Sequence, residues 1–124
     1  CVFWKDYFNY NLALRDTPNG IDALVDAHNK HAGGDTNILY LSDDLYIMQR
    51  GGHDSQRGLI YVLNNRGDDW RGEWVTTKWS NASFSPVAWW GKNDLHRPAD
   101  PSTSADGRAQ FFAPARGYAV YALK

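Results

Sequence analysis

Two acidic pairs stand in stretches built to turn: Asp43-Asp44 after Ser42, and Asp68-Asp69 at the end of Asn64-Asn65-Arg66-Gly67. Carboxylate and amide oxygens so placed are the donors calcium takes, although Asp and Asn also favour turns for their own backbone reasons. Two acids across a sugar can run glycoside hydrolysis. Here they fall in strand-connecting turns with no helix or barrel to frame a cleft, so they do not make a complete active site. His28 and His31 are three residues apart without HExxH, and His53 and His96 are isolated in polar loops. No GxSxG, P-loop, GxGxxG or Cys–His pairing is present. The remaining chemistry is aromatic: Trp70, Trp74, Trp79, Trp89 and Trp90 crowd into one stretch. Flat rings of this kind stack on the apolar faces of sugars or fill a β-sandwich core.

Composition narrows the partners. A net charge of −1 with scattered Lys and Arg leaves no basic stripe for a phosphate backbone, so nucleic acid is not an expected partner. No apolar run approaches the roughly 18 residues of a membrane helix, so no membrane is expected either. Cys1 is the only cysteine, which excludes an internal disulfide and a thiolate metal cluster. At 43% hydrophobic and 15% aromatic, the chain has the makings of a dense β-rich core.

The elements that must position these residues are read from periodicity. Val2–Trp4 is a continuous apolar run that suits a short strand buried on both faces. Lys5–Leu14 is an aromatic loop, and Asp16-Thr17-Pro18-Asn19-Gly20 is a turn in which Asp or Asn can cap the next element. Ile21, Leu24, Val25 and His28 recur at the spacing of one helix face, with Gly33-Gly34 as a left-handed stop. From there the period is two. Strands are expected at 38–41, 45–50, 58–64, 73–79, 84–90, 108–113 and 118–123, with the second and third paired as a hairpin. Residues 91–107 form a surface loop without periodicity. Alternation sends Trp74 and Trp79 to opposite faces, and likewise the neighbours Trp89 and Trp90. One ring of each pair therefore lies outside the sandwich core, against solvent, a ligand or another domain.

These segments, in this order, resemble the end of an alpha-amylase of glycoside hydrolase family 13. The resemblance is carried by CVFWKDYFNYNL, the helix GIDALVDAHNKH, then ILYLSDDLYIMQRGG with its DLYxxxR pattern, GLIYVLNNRGD, and the ending GRAQFFAPARGYAVYALK. It implies a mainly β fold: an antiparallel Greek-key β-sandwich (domain C, residues 36–124) preceded by the final βα unit of a (β/α)8 barrel (residues 1–35). It also implies that the catalytic triad, an Asp nucleophile, a Glu acid/base and a second Asp, lies N-terminal to Cys1, so no catalytic residue is expected in this chain. The implied cofactor is calcium, with its main site outside this chain. Asp43, Asp44 and Asn64 are the closest positions to a further calcium site at the junction of barrel and domain C.

The reading is therefore the C-terminal part of a secreted alpha-amylase that cleaves internal α-1,4-glucosidic bonds of starch or glycogen with retention. Its partners are the N-terminal remainder with barrel strands one to seven, and starch or malto-oligosaccharide. Lys5, Asp6 and Tyr7, at the carboxyl end of the last barrel strand, and the rings of Trp89 and Trp90 are the candidate substrate contacts. A free-standing β-sandwich starch-binding module without catalysis is the alternative, disfavoured by an opening βα unit that such a module has no reason to keep.

Overall fold

In a computed structural model, which describes residues 12–124, the expected helix forms over Ile21–His31 (α1). Its start departs from expectation. The cap position is Gly20, with no side-chain cap. Instead the amides of Ile21 and Asp22 donate to the carbonyls of Leu12 and Ala13, at 2.9 and 3.3 Å. That approach requires glycine, because a Cβ at Gly20 would stand 2.4 Å from the Ala13 carbonyl oxygen. The buried face also differs from the apolar spacing. Ala23, Leu24 and Ala27 meet the sheet, while Val25 is 42% exposed. Small side chains let the helix lie close, and closeness rather than side-chain size selects the face.

Seven strands come after the helix: β1 (Thr36–Leu41), β2 (Leu45–Arg50), β3 (Leu59–Asn64), β4 (Arg71–Thr76), β5 (Phe84–Trp90), β6 (Arg108–Ala113) and β7 (Gly117–Leu123). Five form one antiparallel sheet in the order β1-β2-β3-β7-β5, and β4 and β6 pair as a separate two-stranded layer. The expected β2–β3 hairpin is present in continuous register from Leu45↔Asn64 to Arg50↔Leu59. The chain thus folds as a β-sandwich with α1 on the outer face of the larger sheet, where Ala27, Ala32, Leu59, Ala88 and Val120 pack together.

Alternation decides which side chains fill the space between the sheets. Ile47, Ile60, Val62, Phe84, Phe111, Ala119 and Tyr121 are almost fully enclosed. Four rings run edge to face through this core. Trp79 meets Phe84 at 5.7 Å, Phe84 meets Phe111 at 5.4 Å, and Phe111 meets Tyr121 at 5.3 Å. Such geometry sets the positive ring edge on the negative ring face. The strand expected at 73–79 runs instead over Arg71–Thr76, yet Val75 and, beyond its end, Thr77 are buried and Trp79 packs against the core, while Trp74 faces out.

Both ends of α1 are hydrogen-bonded to the sandwich. At its start, Trp89 N donates to the Pro18 carbonyl at 2.9 Å and the Asn19 amide donates to the Trp89 carbonyl at 2.8 Å. At its end, Gly58 N donates to the His31 carbonyl and Gly52 N to that of Gly33. The first pair also occupies the open edge of β5, where Pro86 already removes one ladder donor.

Phe111 touches rings from both strands of the larger sheet that lie beneath it. Phe111→Ala is therefore expected to lower unfolding stability by about 3–5 kcal/mol, read as a drop in the urea midpoint at unchanged m-value.

Candidate functional site

Of Asp43, Asp44 and Asn64, only Asp44 meets the guanidinium of Arg66, and Asn64 meets that residue's backbone amide. Asn64, 1% exposed at the end of β3, donates through Nδ2 to the carbonyls of Asp69 (3.0 Å) and Ala113 (3.1 Å). Its Oδ1 accepts from the amide of Arg66 at 2.9 Å. Arg66 then reaches Asp68 at 3.0 Å and Asp44 at 3.5 Å. Asp43 is exposed. This set does not fit calcium. The amide oxygen is taken by a backbone N–H, and a fixed positive charge already sits between the two carboxylates. Among the described residues no three His, Cys, Asp or Glu side chains converge as a metal site.

The other expected contacts separate. Lys5, Asp6 and Tyr7 lie outside the described residues, as does the strand expected at Val2–Trp4. Trp89 turns inward: it is 9% exposed, belongs to the sandwich core, and donates its indole N–H to the Leu95 carbonyl at 2.9 Å. Trp90 points the other way and is half-buried.

The concave surface lined by aromatic rings lies elsewhere, on the outward face of β4 and β6. A groove of about 430 Å³ runs between this face and the loop at residues 98–102, with Trp70, Trp74, Phe112 and Tyr121 as its rings and Asp100, Ser102 and Gln110 among its polar groups. The β4–β6 register sets Trp74 opposite Gln110 and Gly72 opposite Phe112. Gly72 matters here: a Cβ would stand 2.4 Å from the Phe112 ring, so its absence lets that ring lie over the strand. Arg108 packs against the Trp74 ring, 5.7 Å from its centroid. Trp70 is tethered at its indole N–H by Asp94, at 2.7 Å. Trp74 and Phe112 nonetheless remain 52% and 38% exposed.

The electrostatics of the groove are closed internally. Asp100 pairs with Arg97 and Lys124, each at 2.8 Å. The Lys124 bond is the main reason its carboxyl stays below the ordinary range. Asp94 is held lower still, down to about 2, by the His96 amide first and then by the Trp70 indole and the His96 ring. A groove of rings, an amide and a hydroxyl, with its one lining carboxylate already paired, suits an uncharged polar ligand. The sequence sets Trp74 and Trp79 on opposite faces without saying which faces out, and it does not single out Phe112. The signal for Phe112 is the alternation of Arg108, Gln110 and Phe112 against Ala109, Phe111 and Ala113.

The class defined is an antiparallel β-sandwich domain with an aromatic groove on its smaller sheet. Residues 59–122, from the first residue of β3 to within one of the end of β7, match the family model described as alpha-amylase C-terminal. The chain belongs to this alpha-amylase C-terminal family. No curated protein matches it.

Asn64→Ala leaves two carbonyls and an amide without their partner and is expected to cost about 2–4 kcal/mol. Asp43→Ala should stay within about 0.5 kcal/mol of the parent; urea melts of both variants check the contrast. The depressed carboxyl at Asp94 gives a second expectation. Its bond to Trp70 is fully present above the unfolded value of 3.8 and is lost only as pH falls through about 2. The indole N–H resonance of Trp70 should track that transition; a midpoint at 3.8 would contradict the tether.

Proposed function

We propose that this chain is the C-terminal part of an alpha-amylase that cleaves internal α-1,4-glucosidic bonds of starch or glycogen with retention of configuration. The observation that carries the proposal is the family match across β3 to β7. In this reading the nucleophile, the acid/base and the third carboxylate belong to the N-terminal remainder, together with barrel strands one to seven. The main calcium site that the resemblance implies belongs to that remainder too. The enzyme is secreted. Lys5, Asp6 and Tyr7 are the substrate contacts that this reading assigns to the chain.

The role of this chain is then structural support of catalysis. Val25 on α1, and Ile38 and Leu41 on the edge strand β1, are 42%, 58% and 68% exposed. Covering them with the remainder would withdraw apolar surface from water, which supports the reading.

The 124-residue chain alone is expected to release no reducing ends from soluble starch, and mixing or co-expression with the remainder should restore hydrolysis. Starch hydrolysis by the purified chain alone would overturn the assignment of the carboxylates to the remainder.

A further inference from the structure

We infer that the groove on the outward face of β4 and β6 is a non-catalytic binding site for an α-1,4-linked glucan, with Trp74 as its stacking platform. Two observations on the rings lead there. Burial does not account for the rings: Trp74 and Phe112 are held in place yet half-open to water. Both are positioned by specific neighbours, Arg108 against one and the bare Gly72 backbone beneath the other. Rings set this way lose little conformational freedom when a ligand lands on them.

The chemistry of the walls selects the ligand. A pyranose offers an apolar C–H face to a ring and a rim of hydroxyls to polar groups. Trp74 and Phe112 supply the first surface. The Gln110 amide, which makes no hydrogen bond to other described residues, can donate and accept; Ser102 and the remaining lone pairs of Asp100 complete the rim. The lining carries one carboxylate, Asp100, and it is bound by both Arg97 and Lys124. No free carboxylate is then left to draw a cationic ligand, and the rings, the amide and the hydroxyl match a polyhydroxyl chain. The volume, about 430 Å³, is in the range of ligand sites, about 300–1,000 Å³. The α-1,4 linkage rests on the amylase reading above; the sugar class rests on the groove itself.

Calorimetric titration of the 124-residue chain with maltoheptaose and with cellohexaose tests the site. Maltoheptaose should bind with millimolar or better affinity, and Trp74→Ala should weaken it at least about tenfold, the scale of one lost aromatic contact. Trp74→Phe should retain part of the affinity. Trp74 is exposed, so an unchanged urea midpoint shows that the variant folds. Absence of maltoheptaose binding, an unaffected Trp74→Ala, or equal affinity for cellohexaose would overturn the inference. Hydrolysis of a short soluble maltoside by the reconstituted enzyme reads the amylase proposal separately. Hydrolysis without maltoheptaose binding by the chain sinks the groove alone; binding without hydrolysis sinks the amylase reading and leaves the groove.

Discussion

The contact on which the sandwich depends is the one that carries a two-stranded sheet on a five-stranded one. A pair of strands is marginal by itself in water, so β4 and β6 persist only through what they bury. Phe111 supplies the apolar part by lying edge-to-face with both Phe84 and Tyr121. The polar part comes from three inward side chains that reach across to backbone of the other layer. Asn64 holds the Ala113 carbonyl at the end of β6, Tyr121 donates to the Phe112 carbonyl, and Gln49 accepts from the Lys78 amide just past β4. All three are buried at 5% exposure or less. A buried polar group without a partner is costly, so these bonds fix the register of one layer over the other as well as adding to its stability. Burial dominates the Tyr121 hydroxyl, whose pKa is pushed well above the ordinary phenol range. It therefore stays a donor through the physiological range.

This bracing explains why the smaller sheet tolerates an outward face so poor in burial. Once Val75, Ala109, Phe111 and Ala113 anchor β4 and β6 from within, the alternate positions are released from folding. Gly72, Trp74, Arg108, Gln110 and Phe112 fall on those positions by period two alone. The loop at 91–107 then turns the flat face into a groove. It is itself pinned, by Phe84 N to the Pro101 carbonyl at 2.9 Å and by Thr103 N to the Ala82 carbonyl at 2.8 Å. Backbone bonds of this kind give a wall made of irregular chain the rigidity that a recognition surface needs.

Much of this is legible in the sequence, and the limits have physical causes. Alternation in 73–79 separates Trp74 from Trp79 as found, although β4 itself ends at Thr76, and adjacency in Phe84–Trp90 separates Trp89 from Trp90 because side-chain direction along a strand is a local property. It does not say which of Trp89 and Trp90 enters the core; that depends on β7 and the loop to Leu95, which lie outside the strand itself. The helix is legible, but its buried face is not, since contact with a sheet favours Ala27 over Val25. The acidic turns suggest calcium as long as Arg66, two residues from Asn64, is read as a turn residue and not as the cation that Asp44 and Asp68 receive. Turn chemistry and ligand chemistry use the same side chains, and only three-dimensional pairing tells them apart. Phe112 escapes for a related reason: in an adjacent Phe-Phe pair, hydrophobicity alone makes both rings look like core.

The Arg66 cluster and the groove obey one rule about charge. In both places a carboxylate that could have drawn a cation or repelled a neutral ligand is answered by a basic side chain of the same chain: Asp44 and Asp68 by Arg66, Asp100 by Arg97 and Lys124. These pairs are exposed, and each adds little to stability. Their effect is on what the surface presents. Where Arg66 sits, a divalent ion would face a fixed positive charge and an amide oxygen already engaged. Where Asp100 sits, the carboxylate is ordered and neutralised, and it keeps lone pairs for hydroxyl donors. Beside such a group the exposed aromatic rings offer stacking faces, and the carboxylate's remaining lone pairs offer hydrogen bonds.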